Sequence, residues 1–316
     1  MPDFRLCAAA ALTVLPLAAC AHHSTTATTP STTEAPFPLH TATADTAATR
    51  SYWADNTDYW TPTGARDDDG DPAGGVPEDL RITPGADRFG LAPADPSTDP
   101  RAAVTGMLVF TKPDGSGPAH CTASVLDTEN QRTIVSAAHC VTSGHDFNAN
   151  MAFVPQARPY HGPGDHPYGI WPVEQIWISK DWFDPDADYS TDVAVMTVAP
   201  KETGERLQQV TGGVAVRPNT TESFRVSTYG YPGDAPYTGD VMLRCDGDAV
   251  SGSNPKILTT PNCDPPGGAS GSPAFAAEGD GYAIVGVLSG GSNSANFARL
   301  SVTNFTPLLD AASKVG

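Results

Sequence analysis

From residue 104 onward the chain alternates short apolar runs with turn residues. Examples are Met107-Leu108-Val109-Phe110, Thr133-Ile134-Val135, Val193-Ala194-Val195-Met196 and Tyr282-Ala283-Ile284-Val285-Gly286-Val287. β-branched residues recur within these runs, and Gly, Pro, Asn and Asp punctuate the intervals. Runs this short suit strands, and their close spacing predicts an all-β sandwich or barrel. Only the tail reads as helix, from Pro307 to Lys314, with Thr306 as N-cap and Pro307 at the first helical position. No internal repeat is evident.

Upstream of residue 104 this grammar is missing. Arg5 precedes an apolar run from Leu6 to Ala19 that is too short for a stable membrane anchor and has the form of a signal peptide over residues 1–20. The run ends in Leu17-Ala18-Ala19-Cys20, which resembles a bacterial lipobox with Cys20 as the lipidated residue; cleavage as an ordinary signal peptide is the alternative. Either way the chain is expected to be exported, as a cell-surface lipoprotein or a secreted protein. Residues 21–50 are dominated by Ala, Thr, Ser and Pro and predict a flexible tether. Residues 51–101 carry Tyr52, Trp53, Tyr59 and Trp60 and then an acidic, Gly- and Pro-rich stretch. They read as a pro-segment or an arm lying across the main domain, with Arg101 as a candidate processing point. The main domain is expected over 102–316.

Composition narrows the function classes. Hydrophobic residues make up 39% and charged residues 17%, with 30 Gly and 30 Pro, values that suit a loop-rich β protein. The formal net charge of −18 excludes nucleic acid as a partner, because phosphate binding needs clustered Lys and Arg. Membrane contact is expected only through the N-terminal lipid, and a monomer is expected. Of the six Cys, Cys7 lies in the signal segment and Cys20 in the lipobox, which leaves Cys121, Cys140, Cys245 and Cys263. An even set in an exported protein predicts two disulfides, and four Cys allow three pairings. No close Cys-x-x-Cys pair is present, and the acidic run from Asp67 has Pro72 where a calcium loop needs Gly. No metal or other cofactor is implied.

Three segments carry candidate chemistry. In Thr133-Ile134-Val135-Ser136-Ala137-Ala138-His139-Cys140 an apolar strand ends in small residues and delivers an imidazole with room beside it for a substrate. In Ser190-Thr191-Asp192-Val193-Ala194-Val195-Met196 a carboxylate abuts a continuous apolar run. A buried carboxylate needs compensation, and the N–H of a His is a suitable partner. Asp186 and Asp188 compete for this role, but only Asp192 adjoins the strand. In Gly267-Gly268-Ala269-Ser270-Gly271-Ser272-Pro273 glycines flank a Ser. They permit an unusual turn that presents the hydroxyl, and the backbone N–H groups of Gly268 and Ser270 are placed to converge as an oxyanion hole.

Together, Ser-Ala-Ala-His-Cys, Asp-Val-Ala-Val-Met and Gly-Ala-Ser-Gly-Ser-Pro resemble the three signatures of chymotrypsin-like serine proteases, in that family's chain order of His, Asp and Ser. The third segment is most similar to the bacterial branch that includes the staphylococcal glutamyl endopeptidase. The resemblance covers roughly residues 102 to 310. It implies two six-stranded antiparallel β-barrels, the first over about 102–205 and the second over about 206–305, followed by the short C-terminal helix. It further implies a catalytic triad of His139, Asp192 and Ser270 acting on a protein or peptide substrate. Cys121 and Cys140 match the family's disulfide at the His-bearing loop, which leaves Cys245 to Cys263. Gly286-Val287-Leu288-Ser289-Gly290-Gly291 resembles the strand beside the substrate, with Ser289 bonded to Asp192 and with Leu288, Gly290 and Gly291 near the specificity pocket.

Two departures bear on function. Ala269 stands where trypsin-like animal enzymes carry the Asp that pairs with a freed N-terminus. Leu288 stands where the glutamyl enzymes carry a His, which argues against strong Glu preference. Asp264, six residues before Ser270, sits at the offset of the trypsin pocket Asp and makes basic specificity one expectation. The rival functions are a catalytically silent surface-binding module of the same fold and an esterase using the same site.

Overall fold

The apolar runs become the walls of two closed barrels. The computed structural model describes residues 37–60, 90–91, 99–157, 166–220, 224–234, 237, 239, 242–261, 263, 265–292 and 294–316. The early strands are β1 (Leu39–Thr43), β2 (Gly90–Leu91), β3 (Thr105–Thr111), β4 (Pro118–Val125) and β5 (Thr133–Ser136). Next come β6 (Thr142–Ser143), β7 (Asp146–Phe147), β8 (Ala149–Pro155), β9 (Trp171–Ser179), β10 (Ala194–Val198) and β11 (Ala215–Val216). The last are β12 (Phe224–Gly230), β13 (Leu243–Ser251), β14 (Ile257–Thr260), β15 (Pro273–Glu278), β16 (Gly281–Gly290) and β17 (Ala295–Arg299). The helices are α1 (Thr46–Asp55), α2 (Pro100–Ala103), α3 (Leu207–Thr211) and α4 (Thr306–Ala312).

The first sheet runs β1-β9-β10-β5-β4-β3-β8, and pairing of β8 with β9 closes β3, β4, β5, β8, β9 and β10 into a six-stranded antiparallel barrel. The second runs β11-β16-β15-β12-β13-β14-β17, and pairing of β16 with β17 closes β12 to β17 into another. Closure removes the sheet edges that would otherwise invite pairing with other chains. It also explains why β3 is buried at every position but its last: one face lines the barrel and β12 of the second barrel packs over it. Tyr229, Tyr231 and Phe275 of the second barrel belong to the same buried cluster as Phe110 and Phe153 of the first. The apolar core is therefore continuous where the barrels meet.

The disulfides join Cys121 to Cys140 and Cys245 to Cys263, across 19 and 18 residues of sequence. Loops of that size contribute about 3 kcal/mol each by restricting the unfolded chain. Helix α4 begins at Thr306, with Phe305 at the cap and Pro307 in its first turn, so Thr306 is helical and not the N-cap.

The tether expected through residue 50 gives way to ordered chain well before that point. β1 pairs antiparallel with β9 from Leu39↔Ser179 to Thr43↔Gln175 and widens the first sheet to seven strands. The side chain of Asp45 then caps α1 by accepting from Ala47 N and Ala48 N. Trp53, Tyr59 and Trp60 are each at most 3% exposed, and the Trp53 indole N–H donates to the Asn150 carbonyl at 2.6 Å. The packing energy of these aromatics, not the Ala/Thr propensity of β1 and α1, holds the segment in place. Signal segment residues, Cys20, the acidic run from Asp67 and Asp264 lie outside the described residues.

Arg101 is embedded and does not offer itself as a processing point. It lies in α2, its guanidinium donates to Asp99 and Ser227, and it stacks over the Tyr229 and Tyr282 rings at 5.3 and 4.3 Å. A protease needs extended, accessible backbone, and Ala102, the next residue, is wholly buried. Burial opposes ionisation of Asp99, but hydrogen bonds from Arg101 and Tyr229 outweigh it and hold the carboxyl below its ordinary range.

Two outcomes follow for stability. Replacing Trp53 by Ala should cost about 3–5 kcal/mol in urea unfolding, in one cooperative transition, if the segment is part of the core; a separate early transition would contradict this. Because the folded pKa of Asp99 is depressed, its contribution is present above the unfolded pKa near 4 and is lost as pH falls through the folded value. Asp99→Asn should therefore be less stable at neutral pH by about 1 kcal/mol, and the gap to wild type should close below about pH 4.

Candidate active site

The imidazole is delivered by the end of β5. Ala137 and Ala138 have no exposed surface, and Cys140 N–H bonds back to the Ala137 carbonyl and Val141 N–H to that of Ala138, forming a tight turn that presents His139. The disulfide to Cys121 ties this turn to β4. The small side chains are required by the neighbour. A Cβ on Gly271 would fall 2.2 Å from Ser136 Oγ and 3.3 Å from Ala137 N, so the turn carrying Ser270 lies directly against this backbone.

Asp192 follows the 3-10 turn Tyr189–Thr191 and is 1% exposed. One carboxylate oxygen accepts from His139 N at 2.8 Å. The other accepts from His139 Nδ1 at 2.7 Å and from the Ser289 hydroxyl. A carboxylate only accepts, so Nδ1 carries a proton, and in the neutral ring Nε2 is the basic nitrogen. Left unpaired, a carboxylate at this depth would cost several kcal/mol. The competitors face solvent. Asp186 is exposed, and Asp188 caps the 3-10 turn by accepting from Ser190 N at 2.8 Å; hydrogen bonding from the Ser190 side chain, helped by that backbone bond, holds its carboxyl below the usual range.

Ser270, 9% exposed, sits on a turn shaped by Gly268 and Gly271, at φ of 84° and 82°. Both conformations strain any residue with a Cβ. Three backbone bonds fix the turn: Ser270 O accepts from Thr122 N at 2.7 Å, and Gly271 N and Leu288 N exchange bonds with Leu288 O and Ser272 O. The peptide planes are fixed as well. Gly267 O accepts from Gly233 N, and Ala269 O accepts from Ser272 N and Ser272 Oγ. In a trans peptide the N–H opposes the carbonyl, so the Gly268 and Ser270 N–H groups are directed away from those anchors.

Ser289 donates its hydroxyl to Asp192 and is 7% exposed. Gly290 borders the Tyr189 ring, and Gly291 has a φ of 147° that suits only glycine. Leu288, expected near the specificity pocket, turns its side chain inward. That side chain is wholly buried in the core of the second barrel, with Val285 and Phe297, and Leu288 serves the site through its backbone. Two residues were missed from sequence. Thr122 accepts from Tyr231 N and donates to the Gly268 carbonyl, while Asp234 accepts from Gly267 N at 2.6 Å. Gly230-Tyr231-Pro232-Gly233-Asp234 is a turn signal, but nothing local reveals that it braces the Ser270 turn. Among the described residues, Cys121, His139 and Cys140 alone have metal-like proximity, and both sulfurs are spent in the disulfide.

A family model for trypsin matches residues 105–311. The fold is similar to that of the thermostable serine protease AL20 from an extremophilic microorganism, with 25% identity and a TM-score of 0.60 over 68% of this chain and 100% of that one. It is also similar to the protease Anisep from Arthrobacter nicotinovorans, with 23% identity and a TM-score of 0.58 over 67% and 95% of the two chains. A Glu endopeptidase structure matches with 16% identity and a TM-score of 0.57 over 74% and 99%. No curated protein matches the sequence. With its family match spanning both barrels and all three candidate residues, this chain belongs to the trypsin family of serine proteases.

Proposed function

We propose that the chain is an exported serine endopeptidase that cleaves peptide bonds by acyl transfer, with Ser270 as nucleophile, His139 as general base and acid, and Asp192 as the group that orients His139. The observation that carries this reading is the buried Asp192 carboxylate bonded to both the backbone and the Nδ1 of His139. His139 Nε2 takes the Ser270 proton as Oγ adds to the scissile carbonyl. The N–H groups of Gly268 and Ser270 meet the oxyanion. Collapse of the tetrahedral adduct breaks the C–N bond, and the amine leaves with the proton from His139. Water, deprotonated by His139, then releases the acid and restores Ser270.

The formed disulfides support export. Among the described residues no helix is long and apolar enough to cross a membrane. A lipid on Cys20 is the proposed membrane attachment. Asp264 is retained as the proposed determinant of a preference for Arg or Lys, and peptide-library profiling with no basic enrichment would remove it.

Fluorophosphonate labelling of the purified protein, read by intact mass and peptide mapping, tests the reading. One adduct on Ser270 is expected, absent in Ser270→Ala; no adduct on the wild type would leave the silent binding module in front. Asp192→Asn should retain Ser270 yet lose about 10⁴-fold in kcat, because the amide disturbs the required tautomer. A loss under about tenfold would remove Asp192 from its role.

A further inference from the structure

Residues 37–60 precede the family match, which begins at Thr105, yet their buried end meets His120, the side chain that abuts the turn carrying Ser270. Tyr59 is 3% exposed, and its ring packs between those of Trp53 and Trp60, at 5.3 and 5.0 Å. Its hydroxyl lies 3.2 Å from Nδ1 of His120 on β4. His120 is wholly buried, and its Nε2 lies 2.9 Å from the Tyr231 carbonyl oxygen. A carbonyl only accepts, so Nε2 carries the ring proton, and Nδ1 of the neutral imidazole accepts from Tyr59.

The imidazole is packed against the glycine whose N–H is proposed as an oxyanion donor. A Cβ on Gly268 would fall 2.7 Å from His120 Nε2 and 2.6 Å from the Tyr231 oxygen. Another on Gly239 would fall 2.5 Å from His120 Cε1. Two residues along β4, and so on the same face of the strand, Thr122 holds Tyr231 N, Gly268 O and Ser270 O. His120 and Thr122 thus grip the same two stretches of the second barrel, and the Tyr59 hydroxyl meets the other ring nitrogen of His120 from behind. A glycine turn has little stiffness of its own, and donors to a developing oxyanion must be held to about 0.5 Å.

We propose that Tyr59, acting through His120, is a positioning residue for the Gly268 and Ser270 donors. The N-terminal segment is then a permanent part of the catalytic apparatus, not a removable inhibitor. This rests on the reading of Ser270 as nucleophile.

The test is Tyr59→Phe in the full chain, which keeps the ring and removes only the hydroxyl. A fall in kcat of about tenfold is expected, with KM within about twofold and a matching loss of affinity for a peptide boronate that mimics the tetrahedral adduct. Amide exchange over residues 265–272 should quicken. Leu308→Ala, a cavity in α4, which packs on β9 and β10, is the stability control: it should lower Tm while leaving kcat unchanged. Wild-type kcat, boronate affinity and exchange in Tyr59→Phe would overturn the inference, as would an equal kcat loss in Leu308→Ala. A wild type that neither labels nor turns over would instead overturn the functional reading, and the exchange comparison alone would then decide whether Tyr59 positions the turn.

Discussion

One buried carboxylate organises the cleft. Asp192 is 1% exposed and is neutralised by donors from both barrels: His139 N and Nδ1 from the first, and the Ser289 hydroxyl from the second. Moving the barrels apart would strip one donor from a charge that has almost no access to water, at a cost of about 1–3 kcal/mol or more. The same bonds that make Asp192 tolerable fix the imidazole ring. Barrel docking and orientation of His139 are therefore a single energetic problem with one solution.

The turn of Ser270 obeys a second constraint, which is backbone in origin. Its carbonyls are engaged from three directions, by Thr122 on β4, by the loop at Gly233, and by Leu288 on β16. The positive φ values at Gly268 and Gly271 leave no space for side chains, since Thr122 O and Tyr231 O lie within 2.6 Å of where a Cβ would be. In the proposed reaction the oxyanion donors owe their direction to this bonding of the opposite peptide edges. The chemistry is local, but the strands that hold it come from both barrels and, through Tyr59, from the segment before them.

What could be read from sequence was what local patterning controls. His139 follows an apolar strand and small residues, Asp192 abuts a strand, and Ser270 sits among glycines, so each announces its backbone setting within eight residues. The barrels were legible for the same reason, because β-branched runs and turn residues mark strands directly. The segment from Leu39 was not. Leu39-His40-Thr41-Ala42-Thr43 has no strong strand pattern and becomes β1 only because β9 offers a partner and Trp53, Tyr59 and Trp60 have a surface to bury against. Arg101 looked like a cleavage point because basic character is visible in sequence while its stacking on Tyr229 and Tyr282 is not. That the Leu288 side chain faces the core of the second barrel cannot be read from its name, and Thr122 and Asp234 act through contacts across long stretches of chain.

The central claim is that buried Asp192 holds a proton on His139 Nδ1 and so makes Nε2 the base. Nitrogen-15 NMR of selectively labelled histidine, followed through the titration of His139, tests it most directly. The account predicts a neutral ring protonated at Nδ1, with that proton far downfield and lost in Asp192→Asn. A neutral ring protonated at Nε2, or one unaffected by the substitution, would contradict it.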